Sequence, residues 1–174
     1  MTKYDAVPTG NERVFDKNEF IVSKTDATGR ITYANDVFCR VALYSEHELI
    51  GQPHSLVRHP DMPRCVFKLL WDTIQDGREI FAYVKNMARN GDYYWVFAHV
   101  TPSYDSGGAI AGFHSNRRVP ERDAVAKVEP IYRQLIDVEN GHANRKDGMQ
   151  AGFDTLVGLL QQNGIEYDEF VFSL

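Results

Sequence analysis

The sequence predicts an α+β fold, a five-stranded antiparallel sheet with helices over one face, followed by further C-terminal helices. Three observations carry that reading. Two short strand-like runs come first, then several short helical patterns and one longer helix, then three strand-like runs in succession, an order that pairs neighbouring strands. Turn signals separate the strands: Asp26-Ala27-Thr28-Gly29, Arg89-Asn90-Gly91-Asp92 and Asp105-Ser106-Gly107-Gly108. The longest run, Tyr93–Tyr104, is apolar on both faces, so the sheet is expected to be covered on both sides.

The first 18 residues are polar and unperiodic, and read as a loosely tethered amino-terminal arm. Residues 19–119 make the sheet-and-helix domain and residues 120–174 a C-terminal helical extension. Phe20–Thr25 alternates modestly and Arg30–Ala34 returns as its hairpin partner. Asn35 can cap a short helix carrying Val37, Phe38 and Val41. Ser45 with Glu48 has capping-box spacing and opens a second short helix that stops at Gly51.

The segment Gly51–Pro63 gathers three prolines, two histidines, an arginine and an aspartate before the longer helix. Proline fixes its own φ and pushes its predecessor into extended conformations. Polar side chains are thereby displayed on a stiff, irregular segment, where ligand contacts are often found. Asp61 is placed as N-cap of the following helix, with Pro63 in its first turn. The residue types alone leave Asp61 and Arg58 two readings, a cap and an ordinary ion pair, or ligand contacts. The helix is expected over 62–75, with Met62, Val66, Leu69, Leu70 and Thr73 on a core face. Phe67 and Trp71 form a second apolar pair on its flank, so two sides of this helix are covered.

Ile80–Met87 and Ile110–Arg118 flank the longest strand in sequence. That strand puts Tyr93, Trp95, Phe97, His99 and Thr101 on one face and Tyr94, Val96, Ala98 and Val100 on the other. Beyond Pro120, Val125, Val128, Ile131, Tyr132 and Leu135 recur at helical spacing. A polar break from His142 to Gly148 precedes a second helix with Phe153, Leu156, Val157, Leu159 and Leu160. Two such helices have no core of their own and are expected to dock on the sheet's second face or on another copy, together with Phe170-Val171-Phe172.

Composition excludes several function classes. A net charge of -5 and a pI near 5.6 do not supply the basic face a nucleic-acid binder needs. The two cysteines, Cys39 and Cys65, lack CxxC spacing and read as small buried residues. No leader and no 18-residue apolar run is present, so a cytoplasmic protein without membrane insertion is expected. His54 and His59 are not at i, i+4 on a helix and have no third ligand nearby, so no metal site is expected. No P-loop, Gly-x-Ser-x-Gly or dinucleotide fingerprint occurs, and no catalytic residue is assigned.

Five strings together resemble a known family: Thr-Tyr-Ala-Asn-Asp at 32–36, Gly-Gln-Pro-His at 51–54, Val-Arg-His-Pro-Asp-Met-Pro at 57–63, Val-Lys-Asn at 84–86 and Asn-Gly-Asp-x-Tyr-Trp-Val at 90–96. They make the stretch from about Glu19 to Arg118 similar to the PAS domain at the amino terminus of bacterial aerotaxis receptors. That resemblance implies a PAS fold holding non-covalent FAD and reporting its redox state. It implies Asn35, His54, Arg58, His59, Asp61, Trp71 and Asn86 as the flavin site. Under it, Arg58 and His59 offer donors to a pyrophosphate, Trp71 an aromatic face, and Asn86 an amide for a ring edge. The receptors carry an aromatic residue where Ile80 begins the third strand here.

As a whole the chain resembles bacterial single-domain PAS proteins that end in the same Tyr-Asp-Glu-Phe-Val pattern. Relatives of that type act on motility and on histidine kinases, so the expected partners are histidine kinases or chemotaxis components, with a homodimer left open. Two alternatives stand beside the flavin sensor: a cofactor-free interaction module, and a haem-based gas or redox sensor. Haem is disfavoured because residues 62–75 contain no histidine to serve as axial ligand, His59 lying just before them. The reactive-cysteine motif of photoreactive PAS relatives is absent, so light-driven adduct chemistry is not expected.

Overall fold

The computed structural model describes residues 6–174, and the first five residues of the arm lie outside it. Strands β1 (Ile21–Asp26), β2 (Ile31–Ala34), β3 (Ile80–Met87), β4 (Tyr93–Tyr104) and β5 (Ile110–Arg118) form one sheet in the order β2-β1-β5-β4-β3. All neighbours are antiparallel. The expected turn signals close the hairpins β1–β2, β3–β4 and β4–β5. Gly29 needs its φ of +83° and its missing Cβ, because a methyl there would lie 2.7 Å from the Trp71 ring.

Register sorts the sheet into two faces. Ser23, Ser115, Val100 and Ile80 make one cross-strand row, and Ile21, Arg117, Ala98 and Ala82 the next. With Val84 and Asn86 these belong to the inner face, under the helices. Phe81, Lys85, Trp95, Phe97 and His99 belong to the outer face. Helices α1 (Asp36–Ala42) and α2 (Glu46–Leu49), a 3₁₀ turn at His54–Val57, and α3 (Arg64–Gln75) cover the inner face. Asn35 caps α1 by accepting from the Phe38 N–H, and Ser45 and Glu48 close a reciprocal capping box on α2, both as expected.

The cap expected on the longer helix is corrected. α3 starts at Arg64 rather than Met62, and its N-cap position is Pro63, with no side-chain cap from Asp61. Pro60 and Pro63 hold this segment out of helix, and the Asp61 carboxylate turns instead to Lys85 Nζ at 2.9 Å. The cap comes from far along the chain: Glu139 Oε2 accepts from the Arg64 N–H at 3.0 Å, and Oε1 from the Cys65 N–H at 2.7 Å. Arg64 Nε donates to the same carboxylate at 2.8 Å, so a buried charge is paired as well as hydrogen-bonded.

Glu139 belongs to α4 (Arg122–Asn140), which crosses the outer face. The Tyr132 hydroxyl donates to the Tyr83 carbonyl at 2.7 Å, and its ring stacks on Trp95. α5 (Arg145–Asn163) then packs on α3, and α6 (Tyr167–Ser173) returns to the sheet. Val171 is buried, and the Phe172 ring lies edge-on to Phe81 and Phe97 while remaining largely exposed. The extension therefore docks on its own sheet.

Two further expectations change. The polar break is shorter, because Asn144 caps α5 and Arg145 already lies within it. Gly148 is a contact point inside that helix. The arm is not loose over residues 6–18: the Thr9 N–H bonds Gly91 O, the Arg13 N–H bonds Tyr93 O, and the Tyr93 N–H bonds Asn11 O. Among the described residues no helix is long and apolar enough to cross a membrane.

Candidate functional site

Between the inner face and α3 lies a cavity of about 720 Å³, within the range of small-molecule sites. Its apolar wall comes from Val84, Ala98, Val100 and Phe113 of the sheet and from Phe67, Leu70, Trp71 and Ile74 of α3. The two flank aromatics Phe67 and Trp71, a second apolar face on the helix, are thus the face turned to the cavity. Trp71 is fixed edge-on against Phe113, with ring centroids 5.5 Å apart, and rests over Gly29. Asn86 is 4% exposed and puts an amide on this apolar wall.

A polar set lines the cavity around Arg117, Ser23, His54 and Ser115. Arg117 is 2% exposed; its Nη2 donates to Ser23 Oγ at 2.6 Å, and its guanidinium lies 4.4 Å from the Phe38 ring centroid. Among the described residues, Nε and Nη1 have no acceptor, and the nearby Tyr94 hydroxyl has no partner. Burial pulls the Arg117 pKa down to about 10, which still leaves it charged at neutral pH. His54 Nε2 sits 3.1 Å from Ser23 Oγ, and its ring stacks on Phe38. Burial first, and the Arg117 charge second, push the His54 pKa down to about 3, so this imidazole is neutral.

The lining also includes five further cations, Arg58, Arg64, Lys68, Arg145 and Lys146, with the carboxylate of Asp72 among them. The Arg58 guanidinium carbon lies over the Phe67 ring, 3.5 Å from its centroid. Burial lowers its pKa to about 10, and its buried Nε has no acceptor among the described residues.

The seven residues expected from sequence therefore divide. His54, Arg58, Trp71 and Asn86 line the cavity. Asn35 is not among the lining residues; its Oδ1 accepts from the Val22 and Phe38 N–H groups, and its Nδ2 donates to Phe20 O. His59 and Asp61 join a separate cluster with Lys85, against Tyr93 and α4. His59 Nδ1 accepts from the Asp61 N–H at 3.1 Å, and its ring edge meets Tyr93. Lys85 Nζ sits 4.5 Å from the Tyr93 ring centroid and 3.6 Å from Glu129 Oε1. Burial raises the Asp61 pKa, but the Lys85 ammonium more than offsets this and leaves it below the usual carboxylate range.

Sequence reasoning missed Arg117, Ser115 and Ser23, and with them the whole polar end. A period-2 reading of 110–118 carried the signal, since Phe113, Ser115 and Arg117 share one face. Arg145 and Lys146 were missed because that stretch was read as a break.

An antiparallel sheet in the order β2-β1-β5-β4-β3, with short helices closing a largely apolar cavity against one face, defines an α+β domain built around a pocket of small-molecule size. The model of the family described as PAS fold matches residues 31–116, and the chain carries a PAS domain. It is 44% identical over 115 residues to the aerotaxis receptor of Escherichia coli, covering 66% of this chain and 22% of the receptor. It is 32% identical over 97 residues to the nitrogen fixation regulatory protein of Klebsiella pneumoniae, covering 56% of this chain and 20% of that protein. The chain thus spans about a fifth of the length of these curated relatives. Among solved structures, the light state of the blue-light photoreceptor Aureochrome1 LOV shares the fold at a TM-score of 0.55 and 23% identity, over 68% of this chain and 92% of that one.

Proposed function

We propose that this protein is a flavin-binding PAS sensor, with FAD in the cavity under α3, that regulates motility or kinase signalling through protein contacts and has no catalytic activity of its own. The observation that carries the reading is the cavity's three-part lining: an apolar wall with one amide, a buried guanidinium with two unsatisfied donors, and a cationic rim. A flat ring system with carbonyl edges and an anionic tail matches those parts in chemistry. An unsatisfied buried donor costs about 1–3 kcal/mol, which a ligand acceptor would recover.

When bound, a flavin supplies a redox centre; the chain's own residues bind, orient and exclude water. Trp71 and Phe67 present ring faces and edges, Asn86 and Arg117 present donors, and the neutral His54 presents a hydrogen-bonding nitrogen without adding charge. Residues 19–119 would be the sensing unit and residues 120–174 the part that carries its state to a partner, in a cytoplasmic setting. The relatives named for aerotaxis and for nitrogen-fixation regulation support a signalling role, with histidine kinases or chemotaxis components as partners.

Purified protein should carry flavin absorbance, and heat-denatured supernatant should release FAD identified by mass spectrometry. Protein that is colourless as isolated and takes up neither FAD nor FMN on incubation would refute the flavin reading.

A further inference from the structure

The cationic rim is assembled from parts of the chain far apart in sequence. Arg58 comes from the proline-rich segment before α3, and Arg145 and Lys146 from the first turn of α5, with Met149 beside them. α5 lies outside the matched residues 31–116, yet it lines the cavity. Close helix packing brings it there. Gly148 and Gly152 let its backbone approach Glu139 and Cys65, and Phe153 packs its ring under Lys68 Nζ at 4.7 Å.

The charges on the rim are not balanced. Arg64 is held by Glu139 and Lys68 by Asp72, and Asp72 is the one carboxylate among the lining residues. Among the described residues, Arg58, Arg145 and Lys146 have no carboxylate within ion-pair distance. The Glu139 carboxylate favours the charge on Arg58 from beyond ion-pair distance, Arg145 and Arg64 oppose it, and among the described residues its buried Nε lacks an acceptor. Like charges gathered at a cavity mouth, one with an unsatisfied buried donor, are stabilised by an anion between them.

We propose that Arg58, Arg145 and Lys146 form a clamp for the phosphate-bearing end of the pocket ligand, which makes α5 part of the binding site. This rests on the ligand-pocket reading above and adds the C-terminal extension to it. A phosphate accepts charge-assisted hydrogen bonds from both guanidinium groups and the ammonium, and so ties α5 to the PAS body. Occupancy then stabilises the docked position of α5, and by reciprocity any partner that loosens α5 weakens the ligand.

The test titrates full-length protein with riboflavin, FMN, FAD and inorganic pyrophosphate, in wild type and in the double variant Arg145→Glu/Lys146→Glu. Both side chains are exposed, and an unchanged melting temperature confirms that the variant is folded. Wild type should bind FMN and FAD about tenfold or more tighter than riboflavin, the worth of one to two charge-assisted contacts. The double variant should lose that advantage and keep its riboflavin affinity. Hydrogen exchange across residues 145–163 should slow on FAD binding in wild type alone. If FMN and riboflavin bind equally, or the charge reversal leaves the phosphate advantage intact, the clamp is overturned and the flavin reading stands. Pyrophosphate binding that needs Arg145 and Lys146, without flavin binding, keeps the clamp and removes the flavin. Failure of all four probes removes both.

Discussion

Three glycines in α5 separate helix propensity from packing. In an unobstructed helix interior, glycine to alanine gains about 0.8–1 kcal/mol. Gly158 is such a site, since an added methyl meets nothing within 4 Å. Gly158→Ala should therefore stabilise by about 1 kcal/mol. At Gly152 the methyl would lie 2.8 Å from Glu139 Cγ, 3.1 Å from its Oε1 and 3.3 Å from Cys65 Sγ. Overpacking of that kind costs about 1–3 kcal/mol, so the propensity gain is cancelled or reversed. At Gly148 it would lie 2.2 Å from the Glu139 carbonyl oxygen and 3.1 Å from its carbon. Backbone cannot rotate away as a side chain can, so α5 must shift, and a net loss of about 2 kcal/mol or more is expected. Urea unfolding of the three variants, compared at unchanged m-value, gives the order directly. Equal stabilisation by all three would refute the close docking of α5 on Glu139, and with it the placement of Arg145 and Lys146 on the rim.

Other consequences are measurable in the same way. Glu139→Ala leaves two α3 N–H groups and Arg64 without their acceptor, and should cost about 3–5 kcal/mol by chemical denaturation. Glu139→Gln, whose amide oxygen can still accept from an α3 N–H and leaves no buried anion, should cost clearly less; equal losses would contradict the capping role. Trp71→Ala should lower both flavin content and stability, the latter by about 2–3 kcal/mol for a half-buried ring, whereas Arg58→Ala and Asn86→Ala should lower flavin content with the fold intact. Unchanged flavin content in all three would remove them from the site. His54 is held neutral in the folded state, with its pKa near 3 against 6.5 when unfolded. The unfolded chain therefore binds more protons between those values, and stability falls as pH drops through that window, by at most about 1.4 kcal/mol per pH unit. Between pH 6.5 and 5, above most carboxylate titrations, His54→Asn should show a shallower slope than wild type. Identical slopes would mean that His54 is not the group responsible.

Local signals in the sequence reported local structure well. Asn35 caps α1, Ser45 and Glu48 close a box, and the Asp/Asn-Gly turns fall between strands, because each depends on residues a few positions apart. The two-sided apolar character of β4 correctly required a cover on each face, and the helices after Pro120 supply the outer one. Missing were features that depend on the folded path. Asp61 has the right spacing for a cap, but a lysine on a neighbouring strand takes its carboxylate. Glu139 caps a helix 75 residues earlier in the chain, and no short pattern marks that pairing. Arg117 follows a strand alternation that was legible, but a lone arginine near a strand end reads as solvent-exposed until the partner strands are known. His59 and Asp61 sit within the family's string and still face away from the cavity. A motif states that residues occur together in sequence, and the proline-kinked backbone decides which of them share a pocket.

The way the chain runs past the two outermost strands limits how this protein can associate. On β3, the Lys85 N–H meets Met62 Sδ, the Tyr83 carbonyl takes the Tyr132 hydroxyl, and Asn86 bridges to Arg58. On β2, which is only four residues long, Ile31 exchanges backbone bonds with Gly51 and Gln52, and Arg30 bridges to Pro53. Unpaired strand margins are templates on which another chain can add and aggregate, and here both margins are occupied by the protein's own loops and helices. Strand addition by a second copy or an extended peptide would first have to peel those segments away. Contacts with other molecules are thereby directed to side-chain surfaces, where a change in helix position can strengthen or weaken them without breaking the sheet.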